Sequence, residues 1–506
     1  MERVLLLITV LLSTSSVVFG RTIVNSSNYV IELSSEEQYY VVEGLVDLKG
    51  SVISLHQDCI LSFAKDGKIV NGQIVGNNTT LRSLRSGSLG VVLSGTWILP
   101  RIDDSVFDHK YLTDTEILDN ISALQSDKMK NTIILQKPFY SIEFSEQHKR
   151  GLVLKSNAVL KNSSTIGVKG NDLISYSVIM VGDVSNVRIY GGSIMGDVGA
   201  HQYREGTTSE WGFGISISRS HDVVVDGVSI SKCTGDGIYI GGGVGSFFGD
   251  YSNACKNILI RNVSSIENRR QAVSITYADG VIIKNCVLSN TGLIELTNPG
   301  CGLDIEPNEG QAVRNVSVLR CKFYKNGTLM DVSVGGYSTE GNNCNVEKIL
   351  FQNCSFEGEL SLRTGSAVLK HCSMRTLSLH LAKMPKEKVL IDHCLISGGS
   401  GVVVRSTGRT TDYDFVSEYR FKSCSFDMKE ALTPAMFSSI NHNGNEVAAF
   451  IVENSSFTFP EGTQRFDMVQ PKITCSFNFL KCQIDSKKHS VEDGNVVYEN
   501  CRIKQR

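Results

Sequence analysis

Two carboxylates with a spacing suited to acid–base chemistry lie in the segment Gly302-Leu-Asp-Ile-Glu-Pro. Asp304 and Glu306 are two positions apart, so on a β-strand both side chains point to the same side, with Cα atoms ~6.5–7 Å apart. Glycosidases use two carboxyl groups at such a separation. Repulsion between them raises one pKa, which gives a proton-holding acid beside an ionised base. The alternative is an ordinary solvated strand face, on which paired acids are common.

Charged and amide side chains precede this pair in the chain. Asp236, between two glycines, is either a third catalytic carboxylate or a turn residue bonded to its own backbone. Arg269, Arg270 and Gln271 precede the next strand. An arginine there either holds a substrate carboxylate or sulfate through two hydrogen bonds or forms a salt bridge within the protein. Because adjacent side chains diverge, we expect only one arginine to face the groove.

A loop rich in polar and aromatic residues runs from His201 to Trp211. Trp211 and Tyr203 offer flat apolar rings on which a sugar can stack. Glu210 is a rival catalytic acid. His201 is a candidate base, although an isolated loop histidine is more often structural or solvated. Tyr239, on a later strand, either donates a proton, binds sugar or simply favours the strand.

Three short segments with one outline contain or closely adjoin most of these residues. Each alternates apolar and polar positions as a strand does: Gly237-Ile-Tyr-Ile, Ala272-Val-Ser-Ile and Gly302-Leu-Asp-Ile. If the strands stack in register, their other face carries two columns: Tyr239, Ser274 and Asp304 in the first, and Gly241, Thr276 and Glu306 in the second. The pattern predicts one exposed wall of polar groups from distant parts of the chain. The outward positions toward the C-terminus are plain: Ser333 just before residue 340, and Ser361, His380 and Val403 beyond it. We interpret the half beyond residue 340 as scaffold.

From about residue 150 the chain repeats a nine-residue core with alternating apolar residues, a small seventh residue and an apolar ninth. Gly280-Val-Ile-Ile-Lys-Asn-Cys-Val-Leu and Lys388-Val-Leu-Ile-Asp-His-Cys-Leu-Ile are two instances. A strand-only repeat of this length cannot bury its apolar face alone, whereas stacked coils bury a continuous core. The fold class predicted is therefore all-β, a parallel β-solenoid. A β-sandwich is the alternative, but its hairpins would not place cysteine at one fixed position.

The seventh place of the repeat holds many of the 14 cysteines. In a solenoid they form an inward stack of small buried side chains, ~4.8 Å apart between coils. Parallel side-chain directions make disulfide geometry difficult, so mostly free thiols are predicted. Without a Cys-x-x-Cys pair, a structural zinc site has no support. The residues at this place are Cys286, Cys321, Cys354, Cys372, Cys394, Cys424, Cys482 and Cys501.

One convincing helix pattern occupies residues 115–130, with apolar residues at helical spacing and Thr113 or Asp114 as its cap. A short helix here would cover the open end of the repeat stack, which otherwise exposes unpaired edge groups. The predicted organisation is a signal peptide at 1–20, an N-terminal β-rich segment and cap at 21–150, and the solenoid at 151–506.

The first twenty residues carry an apolar run after Arg3 and end in small residues near Gly20, which is typical of a secretory signal; a buried N-terminal helix is the alternative. No later segment approaches the ~20 apolar residues of a membrane span. With 50 basic and 52 acidic residues, neither nucleic-acid nor membrane-surface binding is predicted. We expect a secreted, periplasmic or cell-surface protein that is a monomer or a weak oligomer.

The repeat, together with Glu210-Trp-Gly-Phe-Gly-Ile, Gly235-Asp-Gly-Ile-Tyr-Ile-Gly and Gly302-Leu-Asp-Ile-Glu-Pro-Asn, resembles the secreted right-handed parallel β-helix proteins of the pectate-lyase-like superfamily. Such proteins are common among bacterial polysaccharide-degrading proteins and phage tailspikes. The resemblance covers residues 40–505 and implies carbohydrate binding along an exposed parallel sheet. The Asp-Asp pair and Gly-His-Gly of polygalacturonases are absent around residues 235–237, and the calcium aspartates of pectate lyases are not matched. No residue roles carry over from those two groups.

We therefore expect an enzyme that hydrolyses glycosidic bonds of an acidic polysaccharide. Asp304 and Glu306 would form the acid/base pair, Asp236 or Glu210 would assist, and Arg270 would hold the substrate charge. Hydrolysis is favoured because carboxylates outnumber lysine and arginine bases on the predicted wall.

Two alternatives stay open at this point. A polysaccharide lyase would use Tyr239 or His201 as its base. A non-catalytic solenoid would bind glycan, or serve at a surface, without turnover. No cofactor and no metal are expected, and calcium is left open without a motif that supports it.

Overall fold

The structure is a computed structural model. It describes residues 21–33, 35–242, 251–293, 300–308, 310–327, 330–335, 346–364, 366–380, 388–405, 416–431, 435–440, 447–459, 467–470, 474–485 and 495–504. The predicted signal peptide lies outside them. The chain divides into two compact units, Met1–Leu99 with Ser105–Leu112, and Pro100–Asp104 with Thr113–Arg506. The predicted domain boundaries stay predictions.

The first unit is a parallel seven-stranded sheet with one short helix, Tyr29–Leu33. Its longest strand pairs with three short strands in succession along its length, which places coil upon coil. Aliphatic side chains between these coils are fully buried, as Val46 and Leu61 show. The strands are Thr22–Val24, Tyr39–Val42, Leu45–Asp47, Val52–Ser54, Ile60–Phe63, Lys68–Arg82 and Leu89–Ile98.

The second unit is built on three ladders of parallel strands. A short 3-10 turn, Asp104–Val106, has its first residue in the second unit and the other two in the first. We call the fifteen-stranded sheet ladder A. Its strands are Arg101–Asp103, Asn131–Leu135, Ala158–Asn162, Ser185–Tyr190, His221–Asp226, Cys255–Arg261, Ala278–Lys284, Val313–Leu319, Val346–Gln352, Ala367–Lys370, Val389–Asp392, Val416–Lys422, Val447–Glu453, Thr474–Leu480 and Asn495–Glu499.

The remaining strands of this unit form one sheet that contains ladders B and C. Three long strands belong to both ladders: Ser355–Leu362, Ser373–His380 and Leu395–Arg405. Ladder B further contains Phe139–Ile142, Thr165–Val168, Ser193–Met195, Ser229–Ser231, Ser264–Ile266, Val287–Ser289, Lys322–Tyr324, Ser425–Ala431, Ser456–Thr458, Gln483–Asp485 and Arg502–Lys504. Ladder C further contains Arg150–Leu154, Ser175–Gly182, Trp211–Ser218, Ile238–Gly241, Val273–Ile275, Leu303–Ile305, Met330–Val334, Ala435–Ile440 and Asp467–Gln470.

The chain visits the three ladders in turn and then returns to the first. Cys255–Arg261 in ladder A is followed by Ser264–Ile266 in ladder B and Val273–Ile275 in ladder C, after which Ala278–Lys284 pairs in parallel with the first of these strands. Each circuit adds one coil and buries its inward apolar residues against the coils on either side. The predicted right-handed parallel β-helix is confirmed.

The corner between ladders A and B explains the cysteine repeat. The sixth residue of the repeat has a left-handed backbone, as at Asn285 (φ 55°), a conformation that asparagine tolerates. The seventh residue then points inward, and Cys286 accepts a backbone hydrogen bond from Lys322 of the next coil, at 2.9 Å. The cysteines whose side chains the structure describes are free thiols, and among them only Cys501 is not buried, which confirms the prediction for these residues.

The predicted capping helix is present as Asp114–Leu124. Thr113 is its N-cap: its hydroxyl accepts from the Glu116 N–H at 3.2 Å, and the Glu116 carboxylate accepts from the Thr113 N–H at 2.7 Å. The helix packs on Phe139–Ile142 and Arg150–Leu154, the first strands of ladders B and C, and so covers their open end. It ends six residues before the predicted boundary, because Gln125 has an extended backbone (ψ 151°). No helix in the described parts of the chain is both long and apolar enough to cross a membrane.

Candidate active site

The predicted first column exists in ladder C. Tyr239 pairs with Ser274, and Ser274 pairs with Asp304 in the next coil. A slip of one residue would turn every side chain to the opposite face, so this common register places all three on one side. The column continues to Ser216 before it and Ser333 after it.

The second column runs beside the first. The Thr276 N–H donates to Ile240 O at 2.8 Å and the Glu306 N–H donates to Ile275 O at 3.0 Å, which continues the ladder just past the strands. A Cβ at Gly241 would lie 2.0 Å from the Thr276 hydroxyl oxygen, so a side chain there would displace Thr276. Gly241, Thr276 and Glu306 therefore lie side by side as predicted.

The expectation that this wall is exposed is wrong at its centre. Ser274 and Asp304 are each 2% exposed, and Asp236 is fully buried. The cause is the segment that precedes the strand Val273–Ile275, because its side chains cover the column. The Gln271 amide donates to Asp304 Oδ2 at 2.9 Å, and Arg270 Nη1 approaches Asp236 Oδ2 at 3.4 Å.

Asp236 is a buried acid with long-range partners. Its Oδ2 accepts a 2.6 Å hydrogen bond from the Ser274 hydroxyl, from a different coil. This bond and the contact with Arg270 tie the carboxylate to other coils, unlike a turn aspartate bonded to its own backbone. Burial raises the pKa of Asp236 to about 6, although Arg270 and Ser274 act in the opposite direction. Its other oxygen, Oδ1, is buried and has no hydrogen-bond partner among the described residues.

Asp304 is held still more strongly in its protonated form. Burial raises its pKa well above the ordinary value, and the adjacent Glu306 carboxylate raises it further, partly through a hydrogen-bonded contact between the two side chains. Like that of Asp236, its Oδ1 is buried and unpaired within the described part of the chain. Glu306 is the accessible member of the pair, with a side chain that is 38% exposed. The two form an acid couple with one buried and one accessible end.

Arg270 lies at the centre of four acids, which we call the carboxylate cluster: Glu210, Asp236, Asp304 and Glu306. Its guanidinium is 3.4 Å from Asp236, 3.7 Å from Glu210 and 4.0 Å from Glu306. It also donates to the Gln271 side-chain oxygen at 2.7 Å, so that Gln271 links it to Asp304. One cation thus offsets part of the repulsion among four carboxyl groups.

Arg269 turns the other way. Its Nη1 donates to the carbonyl oxygens of Thr208 at 2.8 Å and Ser209 at 3.2 Å, and its guanidinium lies 4.5 Å above the Tyr203 ring. It therefore fixes the loop that ends at Glu210, while Arg270 alone meets the carboxylates, in agreement with the expected divergence. Tyr203 packs inside this loop against Arg269 and is not placed on the carboxylate cluster.

His201 is also bound inside the protein. Its side chain is inaccessible to solvent, and its Nδ1 lies 2.9 Å from Asp197 Oδ2. Asp197 further accepts hydrogen bonds from Tyr176 and, at 2.6 Å, from Thr234. These bonds and the contact with His201 outweigh burial and lower the pKa of Asp197. Sequence reasoning missed this buried anchor, whose only signal is the four-residue spacing of Asp197 and His201.

Two aromatic residues flank the carboxylate cluster differently. Trp211 begins a ladder C strand and is 48% exposed. Tyr239 is covered: its ring stacks on Phe213 with centroids 4.7 Å apart, its hydroxyl is 3.1 Å from Thr276 Oγ1, and burial raises its pKa. Of the predicted ring platforms, Trp211 is the most exposed, while Tyr203 and Tyr239 are partly buried.

No group of three or more His, Cys, Asp or Glu side chains in the described ranges has a metal-binding arrangement. The expected lack of a metal or cofactor stays a prediction. The four carboxylates are instead organised by Arg270.

Comparison with known proteins gives the family context of this site. The family described as "Right handed beta helix region" matches residues 125–310 and 251–426, which together include the whole carboxylate cluster. The uncharacterized protein YclG of Bacillus subtilis (strain 168) is 35% identical over 182 residues, 34% of this chain and 31% of YclG. The SPbeta prophage-derived uncharacterized protein YorA of the same strain is 30% identical over 190 residues, 35% of this chain and 32% of YorA. The aligned region thus spans about a third of each relative.

Solved structures share the fold at low identity. A variant of the tailspike of E. coli bacteriophage HK620, bound to a pentasaccharide, aligns with a TM-score of 0.51 and 13% identity over 80% of this chain and 81% of that chain. Another variant of the same tailspike, bound to a hexasaccharide, aligns with a TM-score of 0.50 and 13% identity over 80% of each chain. At this identity the likeness establishes the common fold.

Proposed function

This chain belongs to the right-handed β-helix family, and on that premise we propose that it hydrolyses a glycosidic bond of a polysaccharide at the carboxylate cluster. One observation carries the proposal. Two partly exposed carboxylates, Glu210 and Glu306, approach the Arg270 guanidinium. The buried Asp304, whose pKa is raised, contacts Glu306. Paired carboxyl groups in different environments are the usual source of an acid and a base in one site.

The proton for the leaving oxygen comes from the Asp304–Glu306 couple. Asp304 is buried, and burial and Glu306 raise its pKa well above the usual value, which favours its protonated form; Glu306 is the member of the couple that a substrate can reach. Protonation of the glycosidic oxygen by a carboxylic acid is the first requirement of glycoside hydrolysis. The couple therefore acts as the general acid.

The second carboxylate is Glu210. Since Glu210 and Glu306 lie within 3.7 and 4.0 Å of one guanidinium, their carboxyl groups face a common space. Glycosidases place their two carboxyl groups ~5–9.5 Å apart, so the second either attacks the sugar or activates water. Asp236 and Gln271 position Arg270 between the two. This assignment replaces the expectation that Arg270 holds substrate charge, because its near neighbours are the protein's own carboxylates.

The same geometry favours hydrolysis over β-elimination. The lyase alternative needs Tyr239 or His201 as its base. His201 is bound to Asp197, and burial raises the pKa of Tyr239, which disfavours its ionised form. Neither His201 nor Tyr239 is therefore suited to act as the base that removes a proton from a sugar.

A polysaccharide is the proposed substrate because of fold and surface. The HK620 tailspike variants that share this fold are bound to oligosaccharides, which supports a glycan ligand here. Trp211, exposed beside the cluster, offers the ring face on which a sugar stacks. We propose a secreted or cell-surface protein, monomeric or weakly associating.

Turnover assays on a panel of bacterial polysaccharides test the proposal. Reducing ends are measured for the wild type and for Glu306→Gln and Glu210→Gln. Each variant should lose roughly 10²–10⁴-fold of the rate, the usual contribution of one acid or base. Glu205→Gln is the matched control, since Glu205 is exposed in the loop that ends at Glu210.

Three other results would contradict the proposal. Full activity in both variants removes the assigned site. Product absorbance of an unsaturated uronate identifies a lyase. Glycan retention without turnover by the wild type identifies a non-catalytic binder.

A further inference from the structure

Two histidines lie next to each other at the corner between ladders A and B. His371 and His393 each occupy the sixth place of the repeat, in successive coils, and each has a left-handed backbone, with φ of 52° and 51°. The His371 N–H donates to Asp392 O at 3.0 Å, and the His393 N–H donates to Lys422 O at 2.9 Å, so each corner is hydrogen-bonded to the next coil. The same backbone in successive coils directs both side chains outward together.

The two imidazole rings meet outside the coils. Their centroids are 5.1 Å apart and their planes are inclined by 37°, so the rings are tilted toward each other rather than stacked flat. Imidazoles that share a tetrahedral Zn²⁺ ion at ~2.0–2.1 Å from each nitrogen have ring centroids ~5 Å apart. The spacing of successive coils therefore places the rings at the separation that a shared metal ion requires.

A carboxylate orients one of the two rings. His393 Nδ1 lies 2.7 Å from Asp392 Oδ1. An ionised carboxylate only accepts hydrogen bonds, so Nδ1 carries the hydrogen and the lone pair of the neutral ring is on Nε2. Metal-binding histidines are usually fixed in this way, by a carboxylate on the nitrogen that faces away from the ion. The ladder neighbours of Asp392 are Lys370 and Lys422, so the charges beside the rings are of both signs.

Both rings are accessible and free to bind a ligand. The His393 side chain is 52% exposed, and His371 is exposed as well. Within the described residues, the His371 ring contacts His393 and forms no hydrogen bond or ion pair. The residues at the same place in the coils on either side are uncharged, Asn353 before the pair and Ser423 after it. The structure describes the corner segments of all four coils.

We infer that His371 and His393 together bind one divalent transition-metal ion of the class that prefers imidazole, such as Ni²⁺ or Zn²⁺. Two imidazoles fill two coordination positions and solvent fills the others, so the site is open and binds more weakly than a closed structural site. The ion connects two successive coils in the half interpreted from the sequence as scaffold. This inference departs from the expectation that the protein binds no metal, and it does not depend on the proposed hydrolysis.

The site also links metal binding to folding. The two histidines belong to different coils, and an unfolded chain does not hold them at this separation. An ion that binds the folded chain more tightly than the unfolded chain stabilises the folded chain. The unfolding temperature should therefore rise with the concentration of Ni²⁺.

Metal titration of the protein without a histidine tag tests the site. Binding of Ni²⁺ and Zn²⁺ is measured by calorimetry, with Mg²⁺, which prefers oxygen ligands, as the comparison ion. We expect the wild type to bind one Ni²⁺ or Zn²⁺ ion per chain at this site and to show no comparable binding of Mg²⁺. Thermal unfolding with and without Ni²⁺ gives a second measurement.

His371→Asn and His393→Asn should each weaken the binding of Ni²⁺ by at least about tenfold and remove the rise in unfolding temperature, since each removes one of two ligands. Asparagine occupies the same place with the same left-handed backbone at Asn285 and Asn353, so both variants should fold. Asp392→Asn keeps both rings but removes the orienting carboxylate, and it should weaken binding roughly tenfold. Urea unfolding without metal verifies that the variants are folded.

His221→Asn is the matched control. His221 is exposed and its Nδ1 lies 2.8 Å from Asp222 Oδ2, but its ladder neighbours are Ser185 and Lys256 rather than a second histidine. This variant should bind Ni²⁺ as the wild type does. The shared site is overturned if the wild type and both pair variants bind Ni²⁺ equally, if only one of the two histidines matters, or if His221→Asn loses as much affinity as they do.

Discussion

Asp236 and Asp304 are two fully or almost fully buried acids that share one arginine and differ in their other partners. Asp236 accepts from Ser274 and contacts Arg270, which favours its ionised form, whereas Asp304 contacts Glu306, which favours its protonated form. Each also has a buried oxygen without a partner in the described residues. An unsatisfied buried acceptor costs roughly 1–3 kcal/mol of folding free energy. The two unpaired oxygens could therefore accept a hydrogen bond from a ligand or bind a proton.

The raised pKa of Asp236 predicts a pH dependence of stability. Its pKa is about 6 in the folded protein, against ~3.9 in an unfolded chain. The folded state keeps the proton where the unfolded chain releases it. The contribution of Asp236 to the free energy of unfolding is therefore fully present below pH ~4 and is lost as pH rises through about 6.

We expect Asp236→Asn to remove about 3 kcal/mol of this decline between pH ~4 and ~7. Urea unfolding at several pH values measures the slope. Asp66→Asn, at an exposed aspartate, is the control and should leave the slope unchanged. An unaltered slope in Asp236→Asn would show that this carboxyl group titrates in the folded protein as it does in the unfolded chain.

At the scale of elements, the segment that leads into each ladder C strand determines the site. Arg269, Arg270 and Gln271 are consecutive, yet the first fixes the loop that ends at Glu210, the second meets the carboxylates and the third joins Arg270 to Asp304. The register of the strands determines which side chains share a column, and the connecting segments determine which of those side chains are buried. The columns can therefore be predicted from the strand pattern in the sequence, whereas the burial of Asp304 cannot.

Gly235 permits the close approach of two such segments. A Cβ there would lie 2.2 Å from the Glu210 carbonyl oxygen, a backbone atom that cannot move alone. Gly235→Ala should therefore cost roughly 1–3 kcal/mol of unfolding free energy and displace Glu210 from Arg270. Chemical denaturation and the turnover assay measure the two effects.

Gly199→Ala is the matched control, because a Cβ at Gly199 meets no atom within 4 Å. It should change the free energy of unfolding by less than about 0.5 kcal/mol. Equal stability of the two alanine variants would disprove the close approach at Gly235.

Over the whole second unit, one face changes character along the solenoid axis. In the described residues, the coils near Asp304 carry four acids around Arg270, whereas further along the same face Arg405 pairs with Glu359. The inner side of the same coils is uniform, with cysteines stacked at the corner between ladders A and B.

The cysteine stack predicts a particular pattern of thiol reactivity. Burial raises the pKa of Cys424 to about 12 and that of Cys482 to about 11, so both are protonated thiols at neutral pH. We expect a colorimetric thiol reagent to label few cysteines in the native protein and close to all 14 after denaturation without reductant. Cys501, which is partly exposed, should react early. A large deficit in the denatured protein would reveal disulfides.

The sequence by itself determined the coil architecture, because a period-two pattern and a fixed seventh residue allow one register. From that register follow the two columns, the inward thiols and the presence of the capping helix. The helix end at Leu124 did not follow, since it depends on the extended backbone of Gln125.

Only the tertiary structure decided which of these polar groups are buried and paired. Connecting segments of unequal length bring His201 onto Asp197 and turn Arg269 and Arg270 apart. Such contacts join residues of different coils whose distance along the chain varies. The alternating pattern in the sequence predicts on which side of a strand a residue lies, but it does not predict which residue from a connecting loop contacts it.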